Sequence, residues 1–270
     1  MNKKERGSFT GGIGFVLAAA GSAVGLGNLW RFPYLAAQYG GGIFILVYII
    51  LALTFGFTLM TTEIAIGRKT KLSPTRAYSE VNKKFGFIGP IAFIIPVIIL
   101  PYYCVIGGWV TKYVTVFATG QNIAAADDSF FGSFVSQEWS PLVFFIIFLG
   151  LTSLIVILGV EKGIEKVSKF LMPVLIVLAI VICIYVITIP GSSEGIKYYL
   201  LPDFSKFSFK TVCAAMGQMF YSLSIAMGIL ITFGSYMKKD ISIEGSTEHV
   251  EIFDTAIAIM AGLMIIPAVF

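Results

Sequence analysis

Gly21, Gly25 and Gly27 stand within seven positions, Asn28 follows, and Arg31 and Pro33 close the stretch. All but its end lies in an uncharged run from Gly7 to Trp30, and about 20 apolar residues suffice to cross a bilayer. Glycine weakens a helix, and backbone freed inside lipid has to find protein, ion or water. A helix broken over residues 21–27 leaves carbonyls without helical partners, and neutral oxygens are what a hard cation such as sodium accepts as ligands. An Arg within the membrane marks function by default. These residues describe a helix interrupted at mid-membrane, where a small molecule and ions bind. The plainer alternative is a small-xxx-small packing face made by Gly21 and Gly25, which leaves Asn28 and Arg31 unexplained. A phosphate-binding loop fails because no strand precedes the glycines.

A second stretch repeats the pattern. Gly217-Gln218-Met219-Phe220-Tyr221-Ser222-Leu223-Ser224-Ile225-Ala226-Met227-Gly228 places a Gln, two Ser and small residues in the middle of another apolar run. Serines in membrane helices often only bond the carbonyl one turn back, so these admit a structural reading too. Glu63 and Asp254 are costly inside a membrane unless paired, although Asp254 also fits a helix cap at the surface. Tyr102 and Tyr103 follow Pro101 at mid-span, and a buried tyrosine hydroxyl needs a partner. Cys104, Cys183 and Cys213 are scattered and read as packing residues. His249 is the only histidine, which removes His-based metal sites and Ser-His-Asp chemistry, so an intramembrane enzyme has no constellation to work with.

The elements that carry these residues follow from composition. Of 270 residues 57% are hydrophobic and 13% charged, with a mean hydropathy of +0.89. A soluble domain would carry about 25% charged residues. The uncharged runs 7–30, 32–62, 85–111, 139–160, 170–193 and 211–237 all reach 22 residues or more, and a further run starts at Thr255. The expected spans are 11–37 (interrupted near 21–27), 41–67, 87–118, 140–159, 164–188, 210–237 (interrupted near 222–228) and 250 onward. Ser73-Pro74 reads as the start of a short amphipathic helix in the loop 68–86. With the N-terminus inside, alternating loops put 14 of the 19 Lys and Arg on the cytoplasmic side, which matches the positive-inside rule. The net charge of +4 therefore reports topology and lipid, not nucleic acid. A signal peptide is disfavoured because the first apolar run continues past any cleavage point.

Two interrupted spans separated by five helices point to an inverted-repeat transporter. The motifs then carry a specific resemblance. Gly21-Ser22-Ala23-Val24-Gly25-Leu26-Gly27-Asn28-Leu29-Trp30-Arg31-Phe32-Pro33-Tyr34 with Gly40-Gly41-Gly42 resembles the first-helix signature of neurotransmitter:sodium symporters. Glu63-Ile64-Ala65-Ile66-Gly67-Arg68 resembles the end of their second helix, and Gly217 to Ser224 their broken sixth. The chain is similar to prokaryotic amino-acid transporters of the leucine-transporter fold, from about Arg6 to its end.

The resemblance implies an all-α polytopic membrane protein in a single transmembrane domain, 1–270. A first five-helix repeat would occupy about 8–188, and a second, inverted repeat would open at about 210–270. It implies sodium and a small-molecule amino acid as cargo, with chloride not expected. The first sodium would be held by Ala23, Asn28, Ser222 and Asp254, which lies 32 residues after Ser222, the family's own separation. The second sodium would be held by Gly21 and Val24, with further ligands outside this chain. The substrate would meet Ala23, Gly25, Gly27, Ile99, Tyr103, Tyr221, Ser222, Ser224, Ala226 and Met227. Arg31, Tyr103 and Tyr221 resemble an outer gate, and Arg6, Ser235 and Tyr236 an inner one. Gly25 stands where amine-transporting relatives place an Asp, which favours a substrate that brings its own carboxylate. Asp254 lies near the counterparts of chloride-site residues, Tyr48, Gln218 and Ser222, and would supply that negative charge itself. Glu63 would accept hydrogen bonds from amides freed in the sixth helix. Family members have eleven or twelve helices and this sequence ends in the seventh, so a non-transporting fragment of a symporter is the alternative expectation.

Overall fold

The computed structural model describes Phe9 and residues 11–269, and among them the regular structure is helical. α1 (Gly12–Ala23) breaks at Val24 and Gly25, and a π-helical turn, Gly27–Arg31, leads into α2 (Phe32–Gln38). The two pieces, Gly12–Ala23 and Gly27–Gln38, meet at 49°. α3 (Gly42–Leu51) and α4 (Phe57–Thr70) join through a second π turn, Ala52–Gly56, into one span. The expected loop helix is α5 (Pro74–Val81), with Pro74 at its first position, where a missing N–H costs nothing. Then come α6 (Ile88–Ala118), α7 (Asn122–Ala125), α8 (Asp128–Val135) and α9 (Ser140–Ile157). A third π turn, Val160–Glu165, precedes α10 (Lys166–Ile187), followed by α11 (Ser192–Leu200), α12 (Phe209–Ser222), α13 (Ile229–Tyr236) and α14 (Ile243–Val269).

Three expectations change in detail. Seven spans were expected; five helices are long and apolar enough to cross a membrane, or six with the bent first pair. The remaining expected span, 210–237, is α12 and α13, divided by six non-helical residues, 223–228. The first interruption is also narrower than 21–27, because Gly21, Ser22 and Ala23 stay helical and only Val24 turns to extended backbone (ψ 107°). Gly21 is small enough to lie against α10, where an added Cβ would stand 3.1 Å from Ser168 Oγ. Finally, α14 begins at Ile243 rather than 250. Ser242 accepts from the Gly245 amide at 3.2 Å, and Glu244 sits in the first turn, where acidic charge is favoured.

The chain forms two compact units. One runs to Phe93 and resumes at Val160; the other is Ile94–Gly159. In the first, Phe32 packs edge-on against Phe44 and Tyr48, all fully buried. Lipid is as apolar as leucine, so helices in a membrane associate through close packing rather than hydrophobic transfer. α4 and α13 show how. A Cβ on Gly67 would lie 2.1 Å from the Ile231 carbonyl oxygen, and one on Gly234 would lie 2.4 Å from that of Ile64. Backbone touches backbone there, and only glycine fits. Arg68 Nη1 donates to the Ile241 carbonyl at 2.6 Å just beyond. On the other end of this unit Tyr198 donates to the Ala37 carbonyl and Tyr199 to that of Ile259, tying α11 to α2 and α14. In the second unit, Trp109 meets Phe131 edge-on and Lys112 lies over Phe134 and Phe144.

Candidate functional site

The two breaks meet around Asp254. Its side chain is fully buried on α14 and receives three hydroxyl or amide groups from three other elements. Asn28 Nδ2 donates to Oδ1 at 2.8 Å and to the Asp254 carbonyl at 2.9 Å. Ser222, the last residue of α12, donates to the carboxylate at 2.8 and 3.0 Å, and Tyr48 of α3 donates to Oδ2 at 3.1 Å. All these donors are neutral. The two ion pairs among the described residues, Lys169–Glu165 and Lys206–Asp203, lie elsewhere, so Asp254 has no cationic partner there. A buried charge is normally paired. A surface helix cap is excluded by this burial.

Each break supplies a different half of the chemistry. In the first, Asn28 reaches back so that its Oδ1 accepts from the Gly25 amide at 3.2 Å. That amide would otherwise close a helical turn onto Gly21. The carbonyls of Gly21, Ser22 and Ala23 are thus left as helix-end acceptors, while the amides that open the next segment start a positive dipole end. Gln218 Nε2 donates to the Gly27 carbonyl at 2.8 Å, which fixes α12 to the π turn. Tyr221 lies against Gly27, where a Cβ would come within 3.0 Å of its ring, and Arg31 sits over that ring at 5.1 Å.

In the second break Ser224 (φ 56°), Ala226 (φ 64°) and Gly228 (φ 70°) all take left-handed backbone. Only the last is a glycine. Glu63 Oε1 accepts from the Ala226 amide at 2.8 Å, the bond to the sixth helix that the resemblance implies. Ser224 is buried, Met227 is half-buried and Ala226 is exposed.

The structure thus brings Asn28, Ser222 and Asp254 together, with Gly21, Ala23, Val24, Gly25 and Gly27 along the adjoining break and Arg31 with Tyr221 beside it. Ile99 and Tyr103 lie on α6 in the second unit, both half-buried, with the Tyr103 ring edge-on to Tyr102 at 5.1 Å. Ser235 is buried on α13 and donates to the Thr232 carbonyl at 2.7 Å, and the Tyr236 carbonyl accepts from the Phe9 amide at 3.4 Å. Arg6 lies outside the described residues. Glu251, one turn before Asp254, is buried too and was given no role by the sequence; its i, i+3 spacing to Asp254 was the available signal.

Ser222 Oγ and the Asp254 carboxylate are oxygens brought together here with the one net negative charge that a monovalent ion balances, while Asn28 turns its amide nitrogen to Asp254 and its Oδ1 to the Gly25 amide.

The sequence profile of the sodium:neurotransmitter symporter family matches residues 6–127 and 135–269. This chain belongs to that family. It is a multi-pass membrane protein of a transporter family, not of an enzyme family. Among similar proteins, the uncharacterized sodium-dependent transporter YhdH of Bacillus subtilis (strain 168) is 34% identical over 278 residues, which is 100% of this chain and 61% of that protein. The sodium- and chloride-dependent taurine transporter of Rattus norvegicus is 27% identical over 87% of this chain and 45% of its own length. The crystal structure of MhsT in complex with L-phenylalanine matches with a TM-score of 0.92 and 39% identity, over 98% of this chain and 62% of that one. This chain therefore spans 45–62% of the length of these relatives. The family resemblance read from the first-, second- and sixth-helix motifs is met by the family profile, the similar proteins and the solved structure alike.

Proposed function

We propose that this chain forms the sodium- and substrate-binding portion of a sodium-coupled symporter for a neutral amino acid. The observation that carries the reading is Asp254, a fully buried carboxylate surrounded by oxygens and neutral donors from both breaks and paired with no cation among the described residues. Sodium is the cargo that fits it. The first ion is assigned to Asp254, Asn28, Ser222 and the Ala23 carbonyl, and the second to the Gly21 and Val24 carbonyls. Chloride is not required, because Asp254 supplies a fixed negative charge beside Tyr48 and Ser222.

The substrate carboxylate is assigned to the amides that open after Gly25 and to the first sodium, which it would help ligate. That shared ligand couples the two: each stabilises the state the other needs. Its side chain is assigned to Ile99, Tyr103, Tyr221, Ser224, Ala226 and Met227, which offer no charge to balance an acidic or basic substrate. That MhsT was crystallised with L-phenylalanine supports a neutral amino acid. The Ala226 methyl takes space that favours aliphatic side chains such as leucine or valine, by only about 1–3 kcal/mol. Arg31 with Tyr221 and Tyr103 would close the outer side, and Ser235, Tyr236 and Arg6 the inner. The fold reading assigns about 8–188 to a first repeat and about 210–270 to the start of an inverted second, in the cell membrane with the N-terminus cytoplasmic.

The test is uptake by the whole protein in proteoliposomes with a panel of amino acids, with sodium replaced in turn by lithium, choline or a proton gradient. Sodium-only uptake, blocked by neutral and not by charged amino acids, is expected. Equal uptake without sodium sinks the reading, and competition by lysine or glutamate sinks the substrate class.

A further inference from the structure

α14 carries a second buried carboxylate that the sodium cluster does not use. Glu251 keeps 4% of its surface exposed, and its Oε1 has no hydrogen-bond partner among the described residues. Thr255 lies four residues on, hence on the same helical face, and its Oγ1 is likewise buried and unpartnered. That is unusual in this molecule. Thr54, Thr58, Thr62 and Thr247 each return their hydroxyl to the carbonyl one turn back, at 2.6–2.9 Å. The Thr255 hydroxyl makes no such bond; the polar group beside it is the Tyr48 hydroxyl.

Both side chains line a cavity of about 250 Å³ between α14 and the stretch Ile49–Leu53, where Ile49, Ala52 and Leu53 form the opposite wall. The rest of the lining is apolar, and no Lys, Arg or His contributes to it. The charges acting on Glu251 are those of Asp254 and Glu248 on its own helix, both negative. The facing helix brings the Tyr48 hydroxyl, which donates to Asp254 and also lies beside Thr255. A carboxylate held among apolar walls and like charges is costly unless a positive charge joins it. The cavity has room for one, since a water occupies about 30 Å³ and a small ion could bring several with it.

We propose that Glu251 and Thr255 form a second cation site, beside the cluster at Asp254 but built from different side chains, that holds one positive charge, either a sodium ion or a proton. Glu251 supplies the charge, Thr255 a neutral oxygen, and waters in the cavity complete the shell. Sodium at Asp254 is not needed for this site to exist.

The experiment measures saturable binding of radioactive sodium to the purified whole protein, together with its infrared carboxyl bands, for the unmutated protein, Glu251→Gln, Thr255→Val and Asp254→Ala. If the cation is sodium, Glu251→Gln binds one sodium fewer per protein. Thr255→Val keeps the count but binds that ion several-fold more weakly. If it is a proton, the sodium count is unchanged, and the protonated-carboxyl C=O band of the unmutated protein disappears in Glu251→Gln. Asp254→Ala removes the ion of the other cluster and leaves the Glu251 signal in place, so failure of either site is seen separately. Thr255→Val retains the carboxyl group and nearly the same shape, which keeps the sodium arm readable if Glu251→Gln does not fold. An unchanged sodium count with an ionised Glu251 in the unmutated protein overturns the proposal, because another part of the protein then supplies the partner.

Discussion

The two helix breaks solve one problem in opposite ways. The first spans only Val24 and Gly25, and it is closed locally by Asn28, three residues away from the amide it caps. The second spans 223–228, puts Ser224 and Ala226 in left-handed backbone, and is held from 163 residues away by Glu63. A non-glycine residue in that region costs roughly 1–2 kcal/mol. The first break is therefore nearly free of strain, while the second stores it and depends on α4. Strain of this kind is kept where a site needs backbone groups aimed at a ligand. The breaks also differ in what they expose: the first leaves helix-end carbonyls without helical partners, and the second sets Ser222 against Asp254 and hands its freed amide to a carboxylate.

The comparison can be broken at α4. Gly67→Ala should have the largest effect, because the new methyl meets the Ile231 carbonyl at 2.1 Å and backbone cannot step aside. A loss of roughly 3 kcal/mol is expected, the upper end of overpacking costs, read as a lower thermal midpoint in detergent. Glu63→Ala comes next. It removes the carboxyl acceptor of the part-buried Ala226 amide, a loss of about 2 kcal/mol, while Glu63→Gln keeps an oxygen there and should lose less. If the two variants are equally stable, Glu63 does not hold the second break. The smallest effect has the opposite sign. Ala226→Gly relaxes a left-handed residue and should raise stability by about 1 kcal/mol, whereas Leu26→Gly at the edge of the first break, where backbone is ordinary (φ −59°), should lower it. The same Ala226→Gly change should shift substrate preference toward larger aromatic side chains in competition binding.

Much of this was legible in the sequence because membrane chemistry makes exceptions conspicuous. Glycines, Asn28 and Ser222 in uncharged runs located both breaks, and Asp254 stood out as a carboxylate with no reason to be in lipid. The extent of the first break was not legible. Gly21 reads as a helix breaker, yet its smallness serves contact with Ser168 of α10, and the helix ends where the Asn28 side chain takes the Gly25 amide. The start of α14 was obscured by acidic residues that mark a polar end in hydropathy but favour a helix N-terminus. Glu251 fell inside the span expected from 250 onward but was given no role, and packing against Ile49–Leu53 is what makes it a buried carboxylate facing a cavity.

The central claim is that Asp254 is both a sodium ligand and the fixed negative charge of the site. It is tested most directly by sodium-driven uptake of leucine into proteoliposomes holding the whole protein, with chloride present or replaced by gluconate, for the unmutated protein and Asp254→Asn. The account predicts that the unmutated protein transports equally with and without chloride, and that Asp254→Asn transports only when chloride is present. Uptake by the unmutated protein that stops when chloride is removed would contradict it.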